Sequence, residues 1–170
     1  MPDVVFIIAE KNLRDEELLN TKEIIEAAGL KTCIAAKTKG EKKGMLGAIA
    51  KADFSLREVN VENYKAIIFV GGQGCTAYFD DVEALKIAKD AAEKGKIVAA
   101  ICIAPVVLAN AGLLEGKKAT VWNGDFIAAI KAKGAVYVNR AVVKDGNIIT
   151  ANGPAAARQF GNTIVDALQR

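Results

Sequence analysis

Short, wholly apolar runs alternate with segments of helical periodicity, and this alternation limits the chain more than any other feature. The runs "VVFIIA" (4–9), "AIIFV" (66–70) and "KIVAAIC" (96–102) lack the polar residue at every second position that a half-exposed strand would carry. Strands of this kind are covered on both faces, as in a parallel sheet. Between them lie "DEELLNTKEIIEAAG" and "DDVEALKIAKDAAEKG", which open on acids and close on Gly29 and Gly95. Acids suit the positive end of a helix dipole, and glycine suits its C-terminal cap. The pattern predicts an α/β domain, a parallel sheet sandwiched by helices.

The later chain continues the rhythm. It reads as a helix in "APVVLANAG", a strand in "KKATVW", a helix in "DFIAAIKAKG", a strand in "AVYV", a hairpin in "VVKDGNIIT" and a closing helix in "PAAARQFGNTIVDALQR". Segment 37–60 departs from it and is expected to hold an edge hairpin, with "KTKGEKKG" (37–44) as a solvated loop. No linker, repeat or low-complexity stretch divides the 170 residues, so one domain, 1–170, is expected.

Composition narrows the function. Hydrophobic residues make up 52% and charged residues 25%, which fits a soluble globular chain. A net charge of +3, and a basic run interrupted by Glu41 without interleaved aromatics, argue against a nucleic-acid partner. No apolar run approaches the ~20 residues of a membrane span. The N-terminus lacks a basic region and does not resemble a secretory signal. Cys33, Cys75 and Cys102 are too scattered for a disulfide framework or a metal pattern, so a reducing cytoplasm is the expected setting. There is no histidine. The chain therefore has no Cys–His or Ser–His pair of its own and none of the usual histidine zinc sites. Thiol, carboxylate, amide and backbone groups remain, with no metal or cofactor implied.

Sites in open parallel sheets form at the carboxyl ends of strands. Three such ends are unusual: "IIAEKNLRDEE", "FVGGQG" and "AAICIAP". In the last, Cys102 sits where strand becomes helix, with Ala100 and Ala104 two residues to either side and Pro105 opening the helix. A nucleophile elbow needs small residues at those offsets so that the central side chain projects. A helix N-terminus can also acidify a thiol. The alternative is a buried structural thiol. Gly71 and Gly72 let main-chain N–H groups approach a ligand, or simply turn the chain, and they lack dinucleotide-binding spacing.

Taken together, "AIIFVGGQG", "GKIVAAICIAPVVLANAGLLEGKKATVW" and "GNIITANGPAAARQF" resemble the ThiJ/PfpI superfamily, in order along nearly the whole chain. The likeness is nearer the branch holding the Parkinsonism-associated deglycase than the archaeal intracellular proteases. The resemblance implies a flavodoxin-like three-layer α/β/α sandwich, a homodimer or higher homo-oligomer, and a reactive cysteine at Cys102. It implies a carboxylate beside that thiol, placed on Glu17 with Glu16 as runner-up. It also implies oxyanion donors in the N–H groups of Gly72 and Ile103. Two charges ~4 Å apart repel by roughly 4 kcal/mol at an effective dielectric of 20, so a protonated Glu17 donating to a thiolate is expected.

Two departures matter. Ile103 stands where the protease-like branch has a histidine, which disfavours peptide hydrolysis. Trp122 stands where the deglycase-like branch has one, which leaves proton transfer to Glu17 or water. Gly71, Trp122 and Asn123 are expected near the pocket, with Trp122 either wall or core. "NGPAAARQF" (152–160) is expected to approach the site or a partner. Cys75 is either a resolving thiol for Cys102 or an unrelated loop cysteine, and Cys33 reads as core. The expected function is a cysteine-dependent glyoxalase or deglycase acting on a small reactive carbonyl, methylglyoxal or its early adducts. A redox sensor or chaperone-like protein using Cys102 oxidation is the alternative, and a cysteine peptidase comes last.

Overall fold

The computed structural model describes residues 2–169; the Arg170 end of the expected closing helix lies outside the described residues, as does Met1. The chain runs β1 (Val4–Ile7), α1 (Asp15–Ala27), β2 (Thr32–Ala36), β3 (Gly40–Lys43), β4 (Ile49–Ala52), β5 (Phe54–Ser55) and β6 (Ala66–Phe69). It continues through α2 (Val82–Glu93), β7 (Ile97–Ile101), α3 (Pro105–Asn110), β8 (Lys118–Ala119), α4 (Asp125–Ala132), β9 (Val136–Tyr137), β10 (Val142–Asp145), β11 (Ile148–Ala151) and α5 (Ala157–Leu168).

The three apolar runs become β1, β6 and β7, every residue of which is buried. They form the middle of a seven-stranded sheet ordered β10-β11-β7-β6-β1-β2-β5. All its pairings are parallel except that of β10 with β11. Helices α1 and α5 pack together, α5 lies against β7 and β11, and α2 lies against β6 and β7. The result is the three-layer α/β/α sandwich of flavodoxin-like folds.

Strand order reverses beside β1. From β1 the chain steps outward to β2 and β5, then returns to β6 on the other side. Such a switch point opens a crevice at the carboxyl ends of the strands. Glu17 follows β1, the Gly71–Gly72 turn follows β6 and Cys102 follows β7, so the topology brings the three strand ends to one edge.

Three segments differ from the sequence expectation. The basic run is not a loop: Gly40–Lys43 pairs antiparallel with Ile49–Ala52 in a separate two-stranded ribbon, while the sheet edge belongs to β5. Alternation along β3 turns Lys42 inward, where it is buried and pairs with Glu10 and Thr38. The "KKATVW" strand shrinks to Lys118–Ala119, paired with β9 outside the main sheet. Beyond it the backbone has other partners: Thr120 donates to Thr150 Oγ1 at 3.0 Å and Trp122 to the Cys102 carbonyl at 2.8 Å. The closing helix begins as a 3-10 turn, Pro154–Ala156, before α5.

Candidate active site

Cys102 is held in a conformation that L-residues avoid. Its φ is +66°, and Asn12 is the only other non-glycine residue with positive φ among the described residues. A residue forced into this region costs on the order of 1–2 kcal/mol, so its surroundings must hold it there. Here they do so from both sides. The Cys102 N–H donates to Ala151 at the end of β11 (2.9 Å), and the Cys102 carbonyl accepts from Trp122 (2.8 Å). Ala100 and Ala104 are fully buried, leaving no bulk around the bend. The chain then enters α3 with Pro105 in its first turn.

The Gly71–Gly72 turn presses against this bend. A Cβ on Gly71 would lie 2.6 Å from Glu17 Oε1, 2.7 Å from Cys102 Cβ and 2.7 Å from the Ile101 carbonyl oxygen. Gly72 has φ +106°, and a Cβ there would sit 2.4 Å from the Arg14 nitrogen. The Arg14 N–H donates to the Gly71 carbonyl at 3.0 Å, which fastens the entry of α1 to the end of β6.

That fastening settles which acid turns inward. Glu17 is fully buried, and its Oε1 accepts the Gly71 N–H at 3.0 Å. Oε2 is buried without a hydrogen-bond partner among the described residues. Glu16, one step round the helix, is half-buried and pairs instead with Arg14 at 2.9 Å.

Burial pushes the Glu17 carboxyl up to about 8, outweighing the Cys102 thiol, the Gly71 N–H and the Arg14 charge, all of which pull it down. Cys102 is 8% exposed. Burial first, and then Glu17, push its thiol up, while the N–H groups of Ile103 and Gly72 beside the sulfur pull it down. The acidifying effect expected of a helix N-terminus is thus outweighed. The two acids compete in one enclosure, so both are not charged together near neutrality. While Glu17 holds its proton its charge no longer opposes a thiolate, which leaves burial on one side and the main-chain amides of Ile103 and Gly72 on the other.

Trp122 is 45% exposed and forms wall rather than core. Its ring rests on Gly153, where a Cβ would come within 2.6 Å of Cζ3. With Asn123 it lines a cleft of about 830 Å³ that also includes Arg14, Tyr137, Asn152 and Arg158. Asn152 to Ala155 and Arg158 of the 152–160 segment line this cleft. Arg14 and Tyr137 were not singled out from sequence; the one available signal was that Arg14 lies a helical turn before the inward acid. Cys75 is fully buried just after the glycine turn, its thiol pushed up by burial and by Glu17. Cys33 is buried beside Tyr64, 3.6 Å from its hydroxyl oxygen. All three thiols are free. Among the described residues, no three His, Cys, Asp or Glu side chains form a metal-holding group, and no helix is long and apolar enough to cross a membrane.

The chain is similar to several known proteins. An uncharacterised protein of Methanocaldococcus jannaschii is 43% identical over 98% of this chain and 82% of its own length. Deglycase PfpI of Pyrococcus furiosus is 31% identical, with 88% and 90% covered. The crystal structure of a ThiJ/PfpI domain protein from Brachyspira murdochii superposes with a TM-score of 0.96 at 34% identity, covering 98% of this chain and 96% of that one. The family profile described as DJ-1/PfpI matches residues 3–167, and the chain belongs to that family.

Proposed function

We propose that this protein is a cysteine-dependent glyoxalase or deglycase acting on methylglyoxal or its early adducts. The observation that carries the reading is Cys102, held at positive φ beside the buried carboxyl of Glu17. The Cys102 thiolate adds to the aldehyde carbon, and the new oxyanion meets the N–H groups of Gly72 and Ile103 and takes the proton held by Glu17. The Glu17 carboxylate then moves the C1 proton to C2 through an enediol, leaving a thioester. Water hydrolyses the thioester to lactate and frees the thiol. The sum is methylglyoxal plus water to lactate, with no external oxidant. Lactate formation is expected to vanish in Cys102→Ala; formation that persists unchanged rejects the reading.

The absence of histidine favours a second reading, in which Cys102 reports oxidation by stopping at sulfinate. A Cys102 that resists mild peroxide as an ordinary thiol does would remove it. Peptide hydrolysis is placed last, because Ile103 offers no base.

The same reading includes a homodimer in a reducing cytoplasm. Leu19 on α1 and Ile49 on β4 are exposed along one shallow groove, with Leu46 exposed in the neighbouring turn. A charged Leu46→Glu is expected to shift sedimentation towards monomer, whereas an unchanged dimer would place the contact elsewhere.

A further inference from the structure

The cleft beside Cys102 is built for more than a three-carbon carbonyl. At about 830 Å³ it falls in the size range of pockets for drug-sized ligands, and methylglyoxal would occupy a small part of it. Its lining has two aromatic rings, Trp122 and Tyr137, and four side-chain amides: Asn139, which accepts from the Tyr137 hydroxyl, and Asn20, Asn123 and Asn152. The amides of Asn20, Asn123 and Asn152 make no side-chain hydrogen bond within the protein among the described residues. Each amide offers donor and acceptor together, as a hydroxyl does. The cleft's cations are largely matched, since Arg14 pairs with Glu16 and Arg158 with Glu23. A flat apolar face, bifunctional amides and balanced charge suit a neutral polyhydroxylated chain, whose C–H face packs on an aromatic ring while its hydroxyls exchange hydrogen bonds. An anionic ligand would call for unpaired guanidinium groups instead.

We propose that the cleft binds the polyhydroxylated tail of a sugar-derived carbonyl compound of about hexose size, its carbonyl carbon directed to Cys102. The cleft adjoins the elbow through main chain and charge: the backbone N–H of Trp122, in the wall, donates to the Cys102 carbonyl, and Arg14 lines the cleft while its charge acts on Glu17. The substrate class rests on the Cys102 reading, but the binding does not require it.

Trp122 is the chain's one tryptophan, so its emission reports on this cleft. The probe is sorbitol, a hexitol without a carbonyl, titrated against the whole protein, with hydroxyacetone and adenosine alongside. A saturable change with sorbitol is expected, absent with hydroxyacetone. Affinity should fall about threefold to tenfold in Asn123→Ala and again in Asn152→Ala, the weight of one neutral hydrogen bond each. Sorbitol should also slow iodoacetamide alkylation of Cys102 in the wild type and lose that effect in the double variant. No saturation, saturation undiminished in both variants, or saturation by adenosine alone overturns the proposal. Sorbitol binding with an inert Cys102 would sink the catalytic reading and leave the cleft standing. Lactate formation from methylglyoxal without sorbitol binding would do the reverse.

Discussion

Gly71 donates its N–H to Glu17 Oε1 at 3.0 Å from a position that has no room for a side chain. The backbone there is not in the left-handed region, so the requirement for glycine is steric and comes from the acid and the thiol themselves.

Gly71→Ala is therefore expected to push Glu17 and Cys102 apart. Overpacking a filled interior typically costs ~1–3 kcal/mol. Urea denaturation should show a loss of that order, and iodoacetamide alkylation of Cys102 should change several-fold in rate. A variant with wild-type midpoint and wild-type alkylation would show that carboxyl and thiol do not adjoin the turn as described.

Glu17 makes stability depend on pH in a definite direction. The unfolded chain releases this proton near 4.5, and the folded protein keeps it until about 8. Between those values the native state binds more protons, so stability falls as pH rises, with a ceiling of about 5 kcal/mol. Cys102, also raised, extends the decline at higher pH. Denaturation of wild type and Glu17→Gln at pH 5 and pH 8.5 should show the smaller loss in the variant. Parallel losses would mean that Glu17 titrates as an ordinary surface acid.

The pair should also leave a signature in thiol chemistry. In the wild type the second proton departs against a charge already present, so Cys102 alkylation should rise in two steps with pH. Glu17→Gln leaves one titrating group and should show a single step. Two steps surviving in the variant would assign the second group elsewhere.

The parts of this site visible in the sequence were those carried by local pattern at strand ends. A strand running into Cys102 with alanines at both flanks, and a strand ending on paired glycines, are contiguous signals, and the fold places both at the switch point. The register of α1 could not be fixed from sequence alone, and it is the Arg14–Gly71 backbone hydrogen bond that turns Glu17 rather than Glu16 inward. The truncation of "KKATVW" depends on hydrogen bonds to Thr150 and Cys102, distant in sequence. Tyr137 and Asn20 enter the cleft from separate segments and carry no shared spacing. The basic run misled because charge alone says solvent, whereas Lys42 finds Glu10.

Cys75 is fully buried, and both burial and the Glu17 charge disfavour its thiolate. Mild peroxide on the native protein should modify Cys102 first, with Cys33 and Cys75 recovered as free thiols in a peptide map. A Cys75–Cys102 disulfide at the earliest times would instead make Cys75 a resolving thiol and require the glycine turn to open readily.

Trp122→His tests what limits turnover. The side chain lies 45% exposed in the cleft wall, and its N–H anchor to the Cys102 carbonyl belongs to the backbone, so the substitution should fold with little loss. An imidazole there, on the residue whose backbone N–H holds the Cys102 carbonyl, would have a pKa suited to proton exchange near neutrality. A positioned acid–base group contributes about 10²–10⁴-fold where proton transfer limits the rate. If Glu17 now carries every proton alone, lactate formation from methylglyoxal should rise about tenfold or more, with a pH dependence near that of histidine. The gain should disappear when Cys102→Ala is added, because the imidazole has no thiohemiacetal to serve. Folded Trp122→His protein with unchanged turnover would show that proton transfer at this wall is not the slow step.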